Sequence, residues 1–175
     1  MAHDYKAAFA SGHKYNELVG EFLRAKGIAC DVPPLRYAAT VAERSDFTRT
    51  EKDVVLADGS VIEVKGVSPH FTWEPQSYRS RPTIIVDTLS GFEGKDVTPF
   101  AYVFVSRVSG AMLFIDTKTR LQWNVVTAPD RSRGLLAEKF LIAQSKLLMG
   151  MEVLVAQILE KQSAHTSRLR SPEVS

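Results

Sequence analysis

The stretch from Asp53 to Gly66, DVVLADGSVIEVKG, constrains this chain more than any other, because it is an apolar β-hairpin carrying two acids and a lysine. Alternate residues of a strand share a face, so Glu63 and Lys65 point together with Val61, while Ile62 and Val64 point the other way. A two-residue turn at Asp58-Gly59 sets Asp53 opposite Val64 and puts Val54 and Leu56 beside the charges, which spoils both faces. A three-residue loop Ala57-Asp58-Gly59 with Gly59 left-handed, or a bulge of the same parity, sets Asp53 opposite Glu63. Val54, Leu56, Ile62 and Val64 then form one wholly apolar face, and Asp53, Val55, Val61, Glu63 and Lys65 form the other. The apolar pattern thus selects the register that gathers two carboxylates and an ammonium.

Two neighbouring carboxylates raise each other's pKa unless a cation lies between them. Lys65 supplies one positive charge, and a divalent metal supplies more. Oxygen-only ligation with room for water suits Mg²⁺ or Mn²⁺ rather than zinc. The plain alternative is a surface ion pair between Glu63 and Lys65, with Asp53 capping the strand edge. Acid-x-Lys also occurs at Asp4-Tyr5-Lys6, Glu93-Gly94-Lys95 and Asp116-Thr117-Lys118, but only Glu63 has a second carboxylate brought to it by register.

Around the hairpin, apolar residues at Tyr15, Leu18, Val19, Phe22 and Leu23 predict a one-sided helix from about Ser11 to Lys26, stopped by Gly27. LRYAATVA after Pro33-Pro34 is a weak strand signal. SPHFTWEPQSYRSRP is too rich in proline to be regular. TIIVDTL, AYVFVSR, AMLFIDT and LQWNVV read as strands, and GLLAEKFLIAQSKLLMGMEVLVAQILEK as a helix or helix pair with Gly150 as a possible break. The expected fold is α/β or α+β, with a central mixed sheet and flanking helices.

The chain has 175 residues, 45% of them hydrophobic, enough for one domain with its own core. We place that domain at residues 1–163 and a flexible tail at 164–175. A formal charge of +2 permits a polyanionic partner without demanding one, and the lone Cys30 rules out an internal disulfide. The N-terminus lacks the apolar core of an export signal, and charges interrupt every apolar run before about 18 residues, so no membrane span is expected and the location is read as cytoplasmic.

At Asp53 and Glu63-Val64-Lys65, the chain resembles the PD-(D/E)XK nuclease superfamily, whose core is a helix, a β-hairpin carrying an acid and then (D/E)-x-Lys, and a further helix and strand. The resemblance covers residues 11 to 67 and implies a restriction-endonuclease-like core with metal-dependent phosphodiester hydrolysis. It departs from the motif in having Lys52 where proline often precedes the acid. It implies that Asp53, one oxygen of Glu63 and the backbone carbonyl of Val64 hold Mg²⁺ or Mn²⁺, and that Lys65 orients the attacking water or neutralises charge at phosphorus. Resolvase-like members add a glutamate from the first helix; Glu17 is the candidate, with Glu21 and Asn16 as rivals.

A nuclease must also grip DNA. Arg79, Arg81 and Tyr78 after the hairpin, and Arg131 and Arg133 before the C-terminal apolar region, are the candidate phosphate contacts, against ordinary solvated side chains. His13 and His70 are further polar candidates. Asp87 and Asp116 read as strand-end caps, and Trp73 and Trp123 as packing residues. The function expected is a Mg²⁺-dependent DNA endonuclease, with a homodimer through the C-terminal helix. The alternative is a non-cleaving protein of the same fold that binds nucleic acid or assembles.

Overall fold

A computed structural model describes residues 5–36, 40, 43, 50–78, 81–130 and 134–170 of the chain, and the side chains of those between 12 and 164. Helix α1 (Tyr5–Ala25) opens it and starts earlier than the apolar spacing predicts. Its end is a Schellman closure, in which Gly27 at φ +80° donates to Arg24 O and Ile28 donates to Leu23 O, each at 3.0 Å. The chain can then reverse into β1 (Cys30–Asp31), which pairs antiparallel with β2 (Val54–Leu56). Leu35 and Arg36 lie in no strand, and residues 37–39 and 41–42, the rest of the weak strand signal, lie outside the described residues.

Strand β3 (Val61–Val67) returns from β2. The proline-rich segment follows, with a 3₁₀ turn at Pro75–Tyr78, and leads to β4 (Thr83–Thr88) and the short helix α2 (Leu89–Glu93). β5 (Ala101–Ser106) comes back parallel to β3, and β6 (Met112–Asp116) is antiparallel to β5. A 3₁₀ turn at Thr117–Gln122 takes up the start of LQWNVV, so β7 is Asn124–Asp130.

The C-terminal apolar region is not a helix pair. Its first half is strand β8 (Leu135–Gln144), followed by a 3₁₀ turn, the two-residue β9 (Met149–Gly150) and helix α3 (Met151–Arg170). Pairing decides this: β8 lies between β4 and β7, with Leu141 and Ala143 fully buried. Those tertiary partners outweigh the helix propensity of its Leu, Ala, Glu and Lys. Helix begins only after Gly150, and it continues through residues 164–170, which the sequence assigns to a tail.

The strands make a mixed six-stranded sheet, in the order β1-β2-β3-β5-β6-β9, and an antiparallel three-stranded sheet, β4-β8-β7. Tyr15, Val19 and Leu23 of α1 and Met151, Leu154 and Ile158 of α3 cover one face of the large sheet, over Ile62, Val64, Val103 and Phe114. Tyr102, Phe104, Leu113 and Ile115 on the other face meet Ile84, Val86, Leu141 and Ala143 of the small sheet. With both faces covered, β5 and β6 are buried at every position, which is why their sequences run apolar instead of alternating. Each fully buried aliphatic side chain contributes about 1.5–3 kcal/mol to this sandwich.

Candidate active site

The hairpin adopts the register that separates its faces: Val54 pairs with Ile62 and Val55 with Val61. Gly59 takes φ +83°, and the Leu56 N–H donates to Ser60 O at 2.8 Å. The four residues of the apolar face, Val54, Leu56, Ile62 and Val64, all enter the core.

Asp53 is placed differently from the expectation that it faces Glu63 across a ladder. β2 ends at Val54, and hydrogen-bonded pairs alternate along an antiparallel ladder, so Val64 would next have bonded to the Lys52 backbone. The Asp53 carboxylate takes that role, with Oδ2 accepting the Val64 N–H at 2.7 Å. Its Oδ1 accepts from Asn16 Nδ2 at 2.9 Å. Asp53 therefore sits at the strand edge, tied to α1 on one side and adjoining the charged face of β3 on the other.

On that face four side chains close a ring of alternating charge. Lys65 Nζ lies 2.7 Å from Glu63 Oε1 and 3.5 Å from Asp87 Oδ1. Lys95 Nζ lies 3.0 Å from Glu63 Oε2 and 3.8 Å from Asp87 Oδ2. The Tyr102 hydroxyl donates to Asp87 Oδ2 at 3.0 Å, and the Thr88 N–H donates to Oδ1 at 2.9 Å.

Asp87 reaches the ring because of a β-bulge. Ile85, 53% exposed, pairs with Ile142, whereas Asp87 pairs with the buried Leu141. Two steps along β4 thus match one along β8, and the mismatch turns Asp87 from the outer face of the small sheet to its inner face. Lys95 arrives just beyond α2, which Thr88 caps by accepting the Gly91 N–H and which closes with Gly94 donating to Ser90 O.

Burial works to raise the Glu63 pKa, but Lys65 and Lys95 hold it below the usual glutamate value. Burial works to lower that of Lys65, and the charges of Glu63 and Asp87 outweigh it, so Lys65 stays an ammonium. Burial and then the Asp87 charge raise Tyr102, which remains a neutral hydrogen-bond donor. Asp53 stands apart: removal from water and then the Glu63 charge push it up to about 7, against the Val64 bond, Lys65 and the Asn16 bond. Glu51, raised by burial and then by the Glu63 charge against Lys95, adds a fourth carboxylate, so four face two ammonium groups and the charge of Asp53 goes uncompensated.

Among the described residues no three His, Cys, Asp or Glu side chains group to hold a metal. The available donors are the Asp53 and Glu63 carboxylates, with the Val64 carbonyl, which points to the same side of β3 as the N–H that Asp53 accepts. Two carboxylates and a carbonyl are the donor types of a hard cation that keeps several of its waters, as Mg²⁺ does, but all four carboxylate oxygens already have partners that a cation would have to share or displace. The excess charge at Asp53 suits such a cation.

Glu17 does not approach Asp53. It is 46% exposed, 3.4 Å from His13 and 3.9 Å from Arg24, while Asn16, one step round the helix, takes the inward position. Tyr78, expected on a DNA-facing surface, is a core side chain packed edge-on against Phe71, since its ring supplies apolar area under the irregular segment. Arg81 is exposed, and Arg79, Arg131 and Arg133 lie outside the described residues. The Arg131–Arg133 segment precedes a strand, not a helix. Asp116 caps the 3₁₀ turn after β6, Trp123 is buried, and Trp73 stacks on Phe22 at the surface.

Asp87, Lys95 and Tyr102 are the site residues that sequence reasoning missed. Strand alternation turns Asp87 outward unless the bulge is known, and Lys95 is distant in sequence with no periodic signal. Comparison with family models, with curated proteins and with solved structures finds no match to this chain.

Proposed function

We propose that this chain is a Mg²⁺-dependent DNA endonuclease of the PD-(D/E)XK kind, hydrolysing phosphodiester bonds with Asp53, Glu63 and Lys65. The observation that supports this reading is the uncompensated carboxyl of Asp53 beside the Glu63–Lys65 pair, 2.7 Å apart, at the edge of β3. A bound Mg²⁺ or Mn²⁺ would be held by Asp53, Glu63 and the Val64 carbonyl, lowering the pKa of a coordinated water and stabilising charge on the scissile phosphate.

The chain's own residues supply the rest. Asp53 would hold the cation as a carboxylate, its proton released to solvent, and Asn16 and the Val64 N–H fix its two oxygens. Lys65, kept protonated, is unsuited to be the general base; it orients the attacking water or neutralises charge at the phosphate. Its 32% side-chain exposure opens it to substrate. Arg81, with Arg79, Arg131 and Arg133, contributes phosphate contacts along the duplex. Among the described residues no helix is long and apolar enough to cross a membrane. Val153 and Leu159, exposed on α3, would supply the contact for a homodimer that cuts both strands.

The test is incubation of the purified protein with linear, branched and single-stranded DNA, with Mg²⁺, Mn²⁺ or EDTA. Metal-dependent cutting that Lys65→Ala abolishes while DNA binding survives is the expected result. Binding without cutting under every metal overturns the enzyme and leaves a non-cleaving nucleic-acid-binding protein. One observation favours that second reading: both Glu63 oxygens are already paired with ammonium groups.

A further inference from the structure

The (D/E)-x-Lys pattern accounts for Glu63 and Lys65, but each is held by a residue outside it. Glu63 Oε2 meets Lys95, whose side chain is 11% exposed, and Lys65 also meets Asp87. The two outer residues are linked to each other at 3.8 Å, and Asp87 is fixed further by the Tyr102 hydroxyl and the Thr88 N–H. From this geometry we infer that Lys95 and Asp87 are positioning residues of the proposed catalytic centre. Lys95 anchors the far oxygen of Glu63, so that Oε1 is presented on the Lys65 side, and Asp87 sets where the Lys65 ammonium can reach. The inference rests on the nuclease reading.

A glutamate and a lysine two residues apart on one strand can pair with each other in several side-chain conformations, and such a pair alone fixes neither. Closing the ring through β4 and the segment after α2 removes those alternatives, because Asp87 is held by β4 and Lys95 directly follows the capped end of α2. A rigid supporting shell is what holds reacting groups within the fraction of an ångström that catalysis needs. The ring also gives the nearly buried Lys95 two carboxylates to pair with.

The experiment uses the full chain as wild type, Lys95→Met, Lys95→Arg, Asp87→Asn and the double variant Asp87→Asn/Lys95→Met. Each is measured for kcat and KM on linear duplex DNA with Mn²⁺, for Mn²⁺ binding by calorimetry and for thermal unfolding. Each neutralising single variant is expected to lower kcat about 100-fold with KM within about threefold, the scale of a one-ångström misplacement. Lys95→Arg, which keeps the charge but alters its reach, is expected about tenfold down. The double variant removes one charge of each sign and leaves Glu63 paired with Lys65, so it is expected to melt closer to wild type than either single variant and still bind Mn²⁺, yet remain about 100-fold down in kcat.

A double variant that melts and cuts like wild type overturns the inference, leaving the ring purely structural. If the double variant does not fold, Lys95→Arg decides, and a wild-type kcat there also overturns it. A wild-type protein that neither binds Mn²⁺ nor cuts DNA removes the nuclease reading and this inference together. Cutting by wild type and double variant alike removes this inference alone.

Discussion

The Asp53 carboxylate stands where a backbone carbonyl would have been: its Oδ2 accepts the Val64 N–H at 2.7 Å, one position past the end of the β2 ladder. An ionisable group thereby becomes part of the sheet edge.

That placement makes stability depend on pH. Asp53 titrates near 4 in an unfolded chain and at about 7 in the folded protein, so between these values the folded state holds the extra proton. Without metal, the Asp53 contribution is full below pH 4, declines as pH rises to about 7 and is flat above it. At about 1.4 kcal/mol per unit, the decline is on the order of 2–4 kcal/mol. Asp53→Asn is expected to remove it and to raise the melting temperature at pH 8; urea denaturation across pH 4–8 measures it. A wild-type curve that rises over this range contradicts the assignment.

Asn16→Ala removes a bond that favours the ionised carboxylate, so the Asp53 titration is expected to move above about 7. Carboxyl-carbon NMR shifts across a pH series would show it. Glu17→Ala, which alters only a partly exposed group paired with His13 and Arg24, should leave the titration where it is.

Gly66 on β3 sits against the Tyr15 ring, and an added Cβ would come within 2.5 Å of it. The ring is stiff and α1 carries it, so Gly66→Ala must shift the helix. The expected cost is about 1–3 kcal/mol. Because Asn16 is next to Tyr15, the bond to Asp53 should weaken as well, and denaturant unfolding together with the Asp53 titration reads both effects.

How far the site was legible follows from which contacts are local. The apolar alternation of DVVLADGSVIEVKG fixes the register of the β2–β3 ladder, because only one register keeps Val54, Leu56, Ile62 and Val64 together, but not the turn of Asp53 out of that ladder. The central strands were legible as short β-branched and aromatic runs, AYVFVS and MLFID, while the cover on both their faces was not. LLAEKFLIAQ was not, since its strand state depends on β4 and β7, and its composition suits a helix equally well. Asp87 was hidden by a bulge, which reverses a side chain without leaving a mark in the alternation.

Lys161 of α3 clasps the hairpin loop, reaching Asp58 at 2.8 Å. Slight burial works to raise the Asp58 pKa, but the Lys161 bond and the Ser60 bonds hold it down to about 2. That stabilisation is present above about pH 4 and is lost as pH falls toward 2. With the lysine half exposed, Lys161→Ala is expected to cost less than about 1 kcal/mol at neutral pH and nothing near pH 2. Thermal melts at the two pH values, with and without added salt, check it.

Asp87 belongs to the three-stranded sheet, while Glu63 and Lys65 belong to the six-stranded one. The separation of the two layers is therefore written into the distances between these charges. A substitution deep in the interface, such as one at Leu141 or Phe104, would be felt at the ring as a change of spacing. The molecule thus carries a gauge of its own interlayer packing in the spacing of these four charges.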